Sequence, residues 1–341
     1  MPTDSIPFLK VAGNPFDIGV QIGTKYKRNI HSILNEFVDY KKHKNRYSDK
    51  QSYIQQMLEE SKRLCPPIIE EIKGMADGSE VEFMDLFIHN CMHMPQWANC
   101  STSILKIEDK IHIAHNEDAH PLLEKYAYFV FVKPENPELA SFFSHCYPGI
   151  VPGMSFGFNM NGIVQTCNSL PDPIKSVGIP RMFVGRTIYE KAKTITEALN
   201  IINSLKPRSG GASYTLGSLQ EQKIVNVETT GMDYSVFEIN DRFFRANHYI
   251  SEKFKHHPAA SDHTIIRQNR GAELLPNINN SQELLDIMFD DSIYLTMEST
   301  NNDCQTNSTL LFEITEDNIE IKKYDEKPIH WFKSLDFRDL I

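Results

Sequence analysis

The segment Trp97 to Pro121, WANCSTSILKIEDKIHIAHNEDAHP, gathers a thiol, an alternating run and then an amide followed by two adjacent carboxylates. Cys100 sits between small polar residues, and Asn116, Glu117 and Asp118 arrive together after an alternating run. A cysteine attacks a carbonyl only as its thiolate, so a base must take the proton. Histidine is the usual base. The other arrangement is an N-terminal nucleophile, whose own α-amine, with a pKa of about 7.7–8.0, titrates close to working pH. For Cys100 to work that way the Asn99–Cys100 bond must first open. The thiol attacks the Asn99 carbonyl, an N→S shift makes a thioester, and water releases the new terminus. A carboxylate at the end of a return strand would then fix the amine or the thiol. An ordinary buried cysteine beginning a surface hairpin fits the same residues.

Two other sets of residues compete. GMSFG, Gly153 to Gly157, matches the G-x-S-x-G pattern around Ser155. A nucleophile elbow needs a strand before its serine and a helix after it. Here Pro148 and Pro152 interrupt the approach and FGFNMNGIVQT alternates afterwards like a strand, so a glycine-rich turn is the expectation. His89 and His93 are spaced to share one helical face, and His115, Glu117, Asp118 and His120 form a second cluster. Either would suit a metal-dependent hydrolase, the alternative function. HxxxH without the glutamate of HExxH is a weak metal signature, and surface or half-buried histidines are the plainer reading.

The elements that must position these groups come in blocks. Residues 14–75 read as helical. Asn14-Pro15 makes a helix start, and Phe16, Val20, Tyr26, Ile30, Ile33, Leu34 and Phe37 form one apolar face. Gly23 falls on that face and would admit a close neighbour. A second helix runs from about Asp49 to Arg63 and breaks at Cys65-Pro66-Pro67, a third ends at the glycine of PIIEEIKGMADGSE, and VEFMDLFIHNCMHM makes a fourth. After Cys100 the period becomes two. A hairpin turns at Glu108-Asp109-Lys110, and further strands are expected in KYAYFVFVKPE, SFFSHCYPGI, GFNMNGIVQTCNS, ASYTLGS, KIVNVETT, YSVFEIND and RFFRANHY. RMFVGRTIYEKAKTITEALNIINSL reads as one amphipathic helix, TIIRQNRGAELLP and SQELLDIMF as two more, and STLLFEITEDNIEIKKYDE as a closing hairpin. Blocks of helices and antiparallel hairpins point to an α+β layered fold rather than a doubly wound one.

The chain has 341 residues, 40% hydrophobic and 23% charged, with a formal net charge of -10. An acidic balance argues against nucleic-acid and anionic-membrane partners. No apolar run reaches the roughly 20 residues of a membrane span, and the first residues lack a secretory pattern, so a cytoplasmic location is expected. The six cysteines contain no CxxC pair and read as thiols rather than a disulfide framework.

In order and spacing the sequence resembles the penicillin acyltransferase family of self-cleaving acyltransferases and hydrolases, more distantly the choloylglycine hydrolases and acid ceramidase. The likeness runs through VAGNPFDIGVQIGTKYKRNI, NCSTS at Cys100 and HNED ending at Asp118, eighteen residues later. It continues through YPGIVPGMSFGFNMNGIVQTCNSL, SGGASYTLGS, RANHY at Asn247, RQNRGAELL with Arg267 and Arg270, and TNSTLLFEITEDNIEI. AHNEDAHP is also similar to the insect β-alanyl-amine hydrolase branch. Asn99 stands where the family often has glycine, and Ile266 where some members have serine.

The resemblance implies an N-terminal-nucleophile αββα sandwich. Residues 1–99 would form a helical pro-segment, 100–341 the catalytic portion, and the two together one domain. By the same resemblance Cys100 is nucleophile and, through its amine, base. Asp118 orients it, Asn247 donates an amide N–H to the oxyanion, and Arg267 supports the carboxylate or the substrate. Asn116, Glu117, Ser213 and Arg270 are supporting or substrate-binding residues. A cation at a helix start is slightly unfavourable unless a carboxylate answers it, which favours a buried pairing role for Arg267. The expected activity is hydrolysis or transfer on a small N-acyl amine or amino-acid amide, through an acyl-thioester, without metal or other cofactor. Self-cleavage would give fragments of about 11 and 28 kDa, scaled by length. These should stay associated, since the helical portion alone would expose its apolar faces. A homo-oligomer stays open, as does an uncleaved relative that only binds.

Overall fold

The computed structural model describes residues 7–36, 51–91, 100–171, 177–257, 261–300, 304–325 and 330–336. Two sheets stack face to face. The larger one joins β1 (Phe8–Gly13), β4 (Tyr128–Pro134), β5 (Phe142–Cys146), β6 (Phe156–Asn159), β7 (Ile163–Leu170), β10 (Gly211–Ser218), β11 (Lys223–Thr229) and β12 (Tyr234–Glu238), in that order. The smaller one runs β13 (Arg242–Arg245), β2 (Ser101–Ile107), β3 (Lys110–Ala119), β14 (Gln305–Ile314), β15 (Ile319–Asp325) and β16 (His330–Asp336). A short parallel pair, β8 (Ile179–Pro180) and β9 (Arg208–Ser209), lies apart.

The alternation of side chains assigns each face. In β4, Tyr128, Val130 and Val132 join the core beneath a layer of helices, while Phe129 and Phe131 turn to the space between the sheets. In β14, Leu310, Phe312 and Ile314 face that same space and Leu311 faces the other way. A strand covered on both faces needs an unbroken apolar run, which is why YFVFV and LLF carry no polar residue. Phe129, Phe131, Phe143, Phe156, Phe158 and Phe312 fill the interlayer. Each buried ring contributes roughly 1.5–3 kcal/mol by area removed from water.

Helices close both outer faces. Over the larger sheet lie α1 (Pro15–Glu36), α2 (Gln51–Leu64), α3 (Pro66–Ser79), α4 (Phe83–Asn90), α6 (Arg181–Lys191) and α7 (Ile195–Ser204), with the one-turn α5 (Pro121–Glu124) following β3. Over the smaller lie α8 (Asp262–Leu274) and α9 (Ser281–Met288). The result is the α+β, four-layer αββα sandwich. Among the described residues no helix is long and apolar enough to cross a membrane.

Several local expectations are corrected. The buried face of α1 begins with Ile18, Gly19, Ile22 and Gly23, whereas Phe16 is exposed and Val20 only half-buried. The reason lies in backbone contact. Gly19 and Gly23 of α1 face the backbone of Glu71, Met75 and Ser79 in α3, Gly74 and Gly78 of α3 face that of Phe16, Val20 and Thr24 in α1, and a Cβ at Gly23 would stand 2.3 Å from the Met75 carbonyl oxygen. The single helix expected over 181–205 is two, because Ala192 is extended (ψ 132) and the Thr194 side chain caps α7 through the Glu197 N–H. In the two large sheets β1 and β16 were unforeseen, as was the short pair β8 and β9. Strand β1 pairs parallel with β4, so the 1–99 portion supplies a sheet edge as well as helices. His93, Asn99 and Phe37 lie outside the described residues.

Candidate active site

Cys100 immediately precedes β2, and the β2–β3 hairpin turns at Glu108-Asp109 with Ser101 paired to Asn116. Continuing that register by one residue sets Cys100 opposite Glu117, and directly opposed residues share a face of the sheet. The Cys100 thiol donates to Glu117 Oε2 at 3.6 Å. Asp118 projects to the opposite face, where its Oδ1 accepts from the Thr306 hydroxyl at 2.7 Å, while its own backbone N–H supports the Cys100 sulfur. The two carboxylates of the HNED run therefore stand on different sides of one strand pair.

The backbone of Cys100 is pinned from two directions. Its carbonyl accepts from Asn168 Nδ2 at 2.8 Å and from an Arg267 guanidinium nitrogen at 2.9 Å. That nitrogen of Arg267 also reaches Ser101 Oγ at 2.8 Å, and the other terminal one reaches Asn247 Oδ1 at 2.9 Å. With its oxygen engaged, the Asn247 amide is oriented as a donor, and Nδ2 donates to the Ser169 carbonyl at 2.9 Å. The Asn247 backbone N–H donates to Thr264 Oγ1 at 2.7 Å, tying the segment after β13 to α8. Arg267 is fully buried and lies within α8 rather than at its first turn, so the helix-start argument for its pairing does not apply. The structure thus brings Cys100, Asp118, Asn247 and Arg267 to one end of the β2–β3 pair.

Supporting residues divide. Glu117 is at the thiol. Asn116 points to the outer face, donating to the Met288 carbonyl at 2.8 Å and accepting from Thr309 Oγ1 at 2.9 Å. Ser213 pairs in register with Asn168 and donates to Asn226 Oδ1 at 3.0 Å. Arg270 pairs with Asp290 and Glu273 on the flank of α8. Ser155 precedes β6 and directs its hydroxyl to Glu117 Oε2, which explains that motif as a support of the site rather than an elbow.

Sequence reasoning missed Asn168 and Thr102. Asn168 comes from the larger sheet and Thr102 from the smaller, and they meet where the Thr102 hydroxyl donates to Asn168 Oδ1 at 2.7 Å. The same hydroxyl lies 2.8 Å from His115 Nδ1. His120 serves elsewhere, its Nδ1 accepting from the Leu122 N–H at the start of α5.

Burial dominates the electrostatics. It pushes the Cys100 thiol well above its ordinary range, with the Glu117 and Asp118 charges adding to the effect. It lifts Asp118 to about 8, although Arg267 and the Thr306 hydroxyl pull the other way. Burial acts on Glu117 in the same sense but is outweighed by His115, His145 and Ser155, so its carboxyl falls below the usual value. Neighbouring carboxyls are thereby driven apart, one ionised and one protonated near neutral pH. Cys100, His115 and Glu117 offer three ligand-type atoms within 4.8 Å of one another, and the Glu117 oxygen facing the thiol is already engaged by Ser155.

Against known proteins, a family model described as acyl-coenzyme A:6-aminopenicillanic acid acyl-transferase matches residues 106–323. That span includes Glu117, Asp118, Asn247 and Arg267 and starts just after Cys100. A Drosophila melanogaster protein named beta-alanyl-dopamine/carcinine hydrolase is 28% identical over 255 residues, covering 66% of this chain and 65% of the relative. The chain thus spans slightly less than two thirds of that relative's length. The solved structure of penicillin V acylase from Agrobacterium tumefaciens aligns at 12% identity with a TM-score of 0.42, covering 68% of this chain and 84% of that one.

Proposed function

Since this chain belongs to the acyl-coenzyme A:6-aminopenicillanic acid acyl-transferase family, we propose that it is a cysteine N-terminal-nucleophile amide hydrolase or acyltransferase, activated by opening its own Asn99–Cys100 bond. The observation that carries the reading is the double anchoring of the Cys100 carbonyl by Asn168 and Arg267. An ordinary core cysteine needs no such hold. A residue whose sulfur and nitrogen must both meet a carbonyl does, because reaction depends on near-attack geometry.

Once freed, the α-amine takes the thiol proton and the thiolate attacks the substrate amide. Asn247, its oxygen held by Arg267, donates to the developing oxyanion, a contact worth about 10²–10³ in rate. The amine product leaves with the proton, and the acyl group stays on sulfur. Water then completes hydrolysis, and an amine completes transfer. Asp118, at the end of the strand pair, accepts from the α-ammonium. The relative's name supports a β-alanyl amine, within the wider class of small N-acyl amines, as first substrate. The six buried thiols suit a reducing cytoplasm. Both fragments stay together, since β1 pairs with β4 and α1 to α4 share one core with the larger sheet.

Intact-mass measurement of the purified protein beside Cys100→Ala tests this directly. Two fragments meeting at Asn99–Cys100 are expected from the natural sequence and one whole chain from the variant. The cleaved form should hydrolyse members of a panel of N-acyl amines that includes β-alanyl amines. A natural chain that stays whole and leaves the panel untouched would sink the proposal.

A further inference from the structure

Before self-cleavage the nitrogen of Cys100 is a peptide nitrogen and has no basicity to lend. The thiol is nevertheless buried and protonated, so the first reaction of the chain needs another proton acceptor. We propose that Glu117 is that base, acting in self-cleavage and giving way to the α-amine afterwards; the inference rests on the proposed activation at Cys100.

Geometry selects Glu117 over Asp118. Glu117 Oε2 is the acceptor of the thiol at 3.6 Å, on the same face of the strand pair, whereas the Asp118 carboxyl lies on the other face against Thr306. The hydroxyl of Ser155 holds Oε2 in place. Behind it a chain of hydrogen bonds sets the direction of proton flow. Asn168 donates to the Cys100 carbonyl, so its Oδ1 is an acceptor and takes the single proton of the Thr102 hydroxyl. The Thr102 oxygen can then only accept, so His115 Nδ1 carries a proton. Its other nitrogen, Nε2, faces Glu117 Oε2 at 3.6 Å with a lone pair to receive a second one. Glu117 and His115 thus form a buried pair able to hold one proton between them.

The step balances as follows. The thiol proton passes to the Glu117–His115 pair, and the thiolate adds to the Asn99 carbonyl carbon. The tetrahedral adduct breaks its C–N bond as the pair returns the proton to the Cys100 nitrogen, leaving an amine and a thioester. Water then adds to the thioester, placing hydroxyl on the Asn99 acyl carbon and a proton on sulfur.

The test compares the natural chain with Glu117→Gln in timed cell-free synthesis read by mass, with and without a chelator. Glu117→Gln is expected to self-cleave about 10²-fold or more slowly, the usual scale of a positioned base, with no effect of chelator on either chain. In a second pair, a sequence-specific protease site replaces residues 94–99, so that cutting exposes the Cys100 amine without self-cleavage. Iodoacetamide should then alkylate Cys100 in both cut chains, at least as fast in Glu117→Gln, because the amine now serves the thiol and the lost carboxylate charge no longer raises it. Equal self-cleavage overturns the inference. So does loss of alkylation in cut Glu117→Gln, which would mark a structural role, and so does chelator-blocked cleavage, which would mark a bound metal. A natural chain that never cleaves removes the reading beneath and this inference with it.

Discussion

Two buried arginines use the same side chain to opposite ends. Arg186, on α6, gives its two terminal nitrogens to Glu71 at 3.0 and 2.6 Å and its Nε to Glu190 at 3.1 Å, with its plane over the Phe142 ring. The fork is saturated by carboxylates, which locks α3 to α6 and leaves no group free to react. Arg267, equally buried, directs its terminal nitrogens, among the described residues, at the uncharged oxygens of Cys100, Ser101 and Asn247. There the guanidinium aligns the atoms around a thiol, while the two nearby carboxyls occupy environments that separate their protonation. A buried ion pair answered in full is a clamp. A buried cation aimed at carbonyl and amide oxygens organises chemistry.

Breaking the clamp should have the largest effect. Arg186→Met leaves Glu71 and Glu190 buried without their cation and is expected to cost about 3–5 kcal/mol of stability. Urea denaturation measures it, while fragments that do fold should still carry an alkylatable Cys100. Arg267→Lys should do the reverse, since an ammonium cannot span the fork. Turnover is expected to fall by about 10²–10³-fold, the scale of a lost transition-state donor, with a nearly normal melting temperature. If the melting temperature collapses instead, the contrast between the two arginines fails.

Gly23→Ala probes the helix layer alone. Overpacking against Met75 should destabilise by about 1–3 kcal/mol, readable as a lower melting temperature with unchanged activity per folded molecule. Asp118 gives a pH signature. Its carboxyl is raised from 3.8 to about 8 in the folded chain, so the native state holds a proton that the unfolded chain has released. That contribution is fully present below about pH 4 and is lost as pH rises through about 8. Asp118→Asn should therefore flatten the fall in urea midpoint between pH 5 and pH 8, and parallel slopes for the two proteins would refute the assignment. Smallest of all, Arg270→Ala removes ion pairs on the flank of α8 and should leave turnover as it was in a direct assay.

How much of this was legible beforehand differs by element. The hairpins β2–β3 and β14–β15 could be read because period-two alternation is a property of neighbouring residues, and their turns fall where polar residues interrupt it. The later half of α1 was equally open, with Ile30, Ile33 and Leu34 inward. Gly23 was rightly placed on the buried face as a point of close approach, but Phe16 and Val20 were misassigned, because hydrophobicity gives no sign of how far a backbone-to-backbone contact turns the face. The break between α6 and α7 was hidden because Ala192 and Lys193 are compatible with a helix and only the Thr194 cap marks the start of a new one. Edge strands β1 and β16 had no pattern strong enough to declare them, since each depends on a partner strand for its identity.

Of the groups at the candidate site, residue order alone determined that Cys100 begins a hairpin and that a carboxylate run returns beside it. A two-residue repeat and a short turn dictate that neighbourhood whatever else the chain does. It could not tell Glu117 from Asp118, because a one-residue step changes the face and the face is meaningful only once sheets and helices cover it. Asn168 and Arg267 reach Cys100 from the other sheet and from a helix 167 residues away. Contacts of that kind arise from stacking the four layers, so tertiary structure alone decided which donors hold the thiol-bearing residue and which acid faces its sulfur.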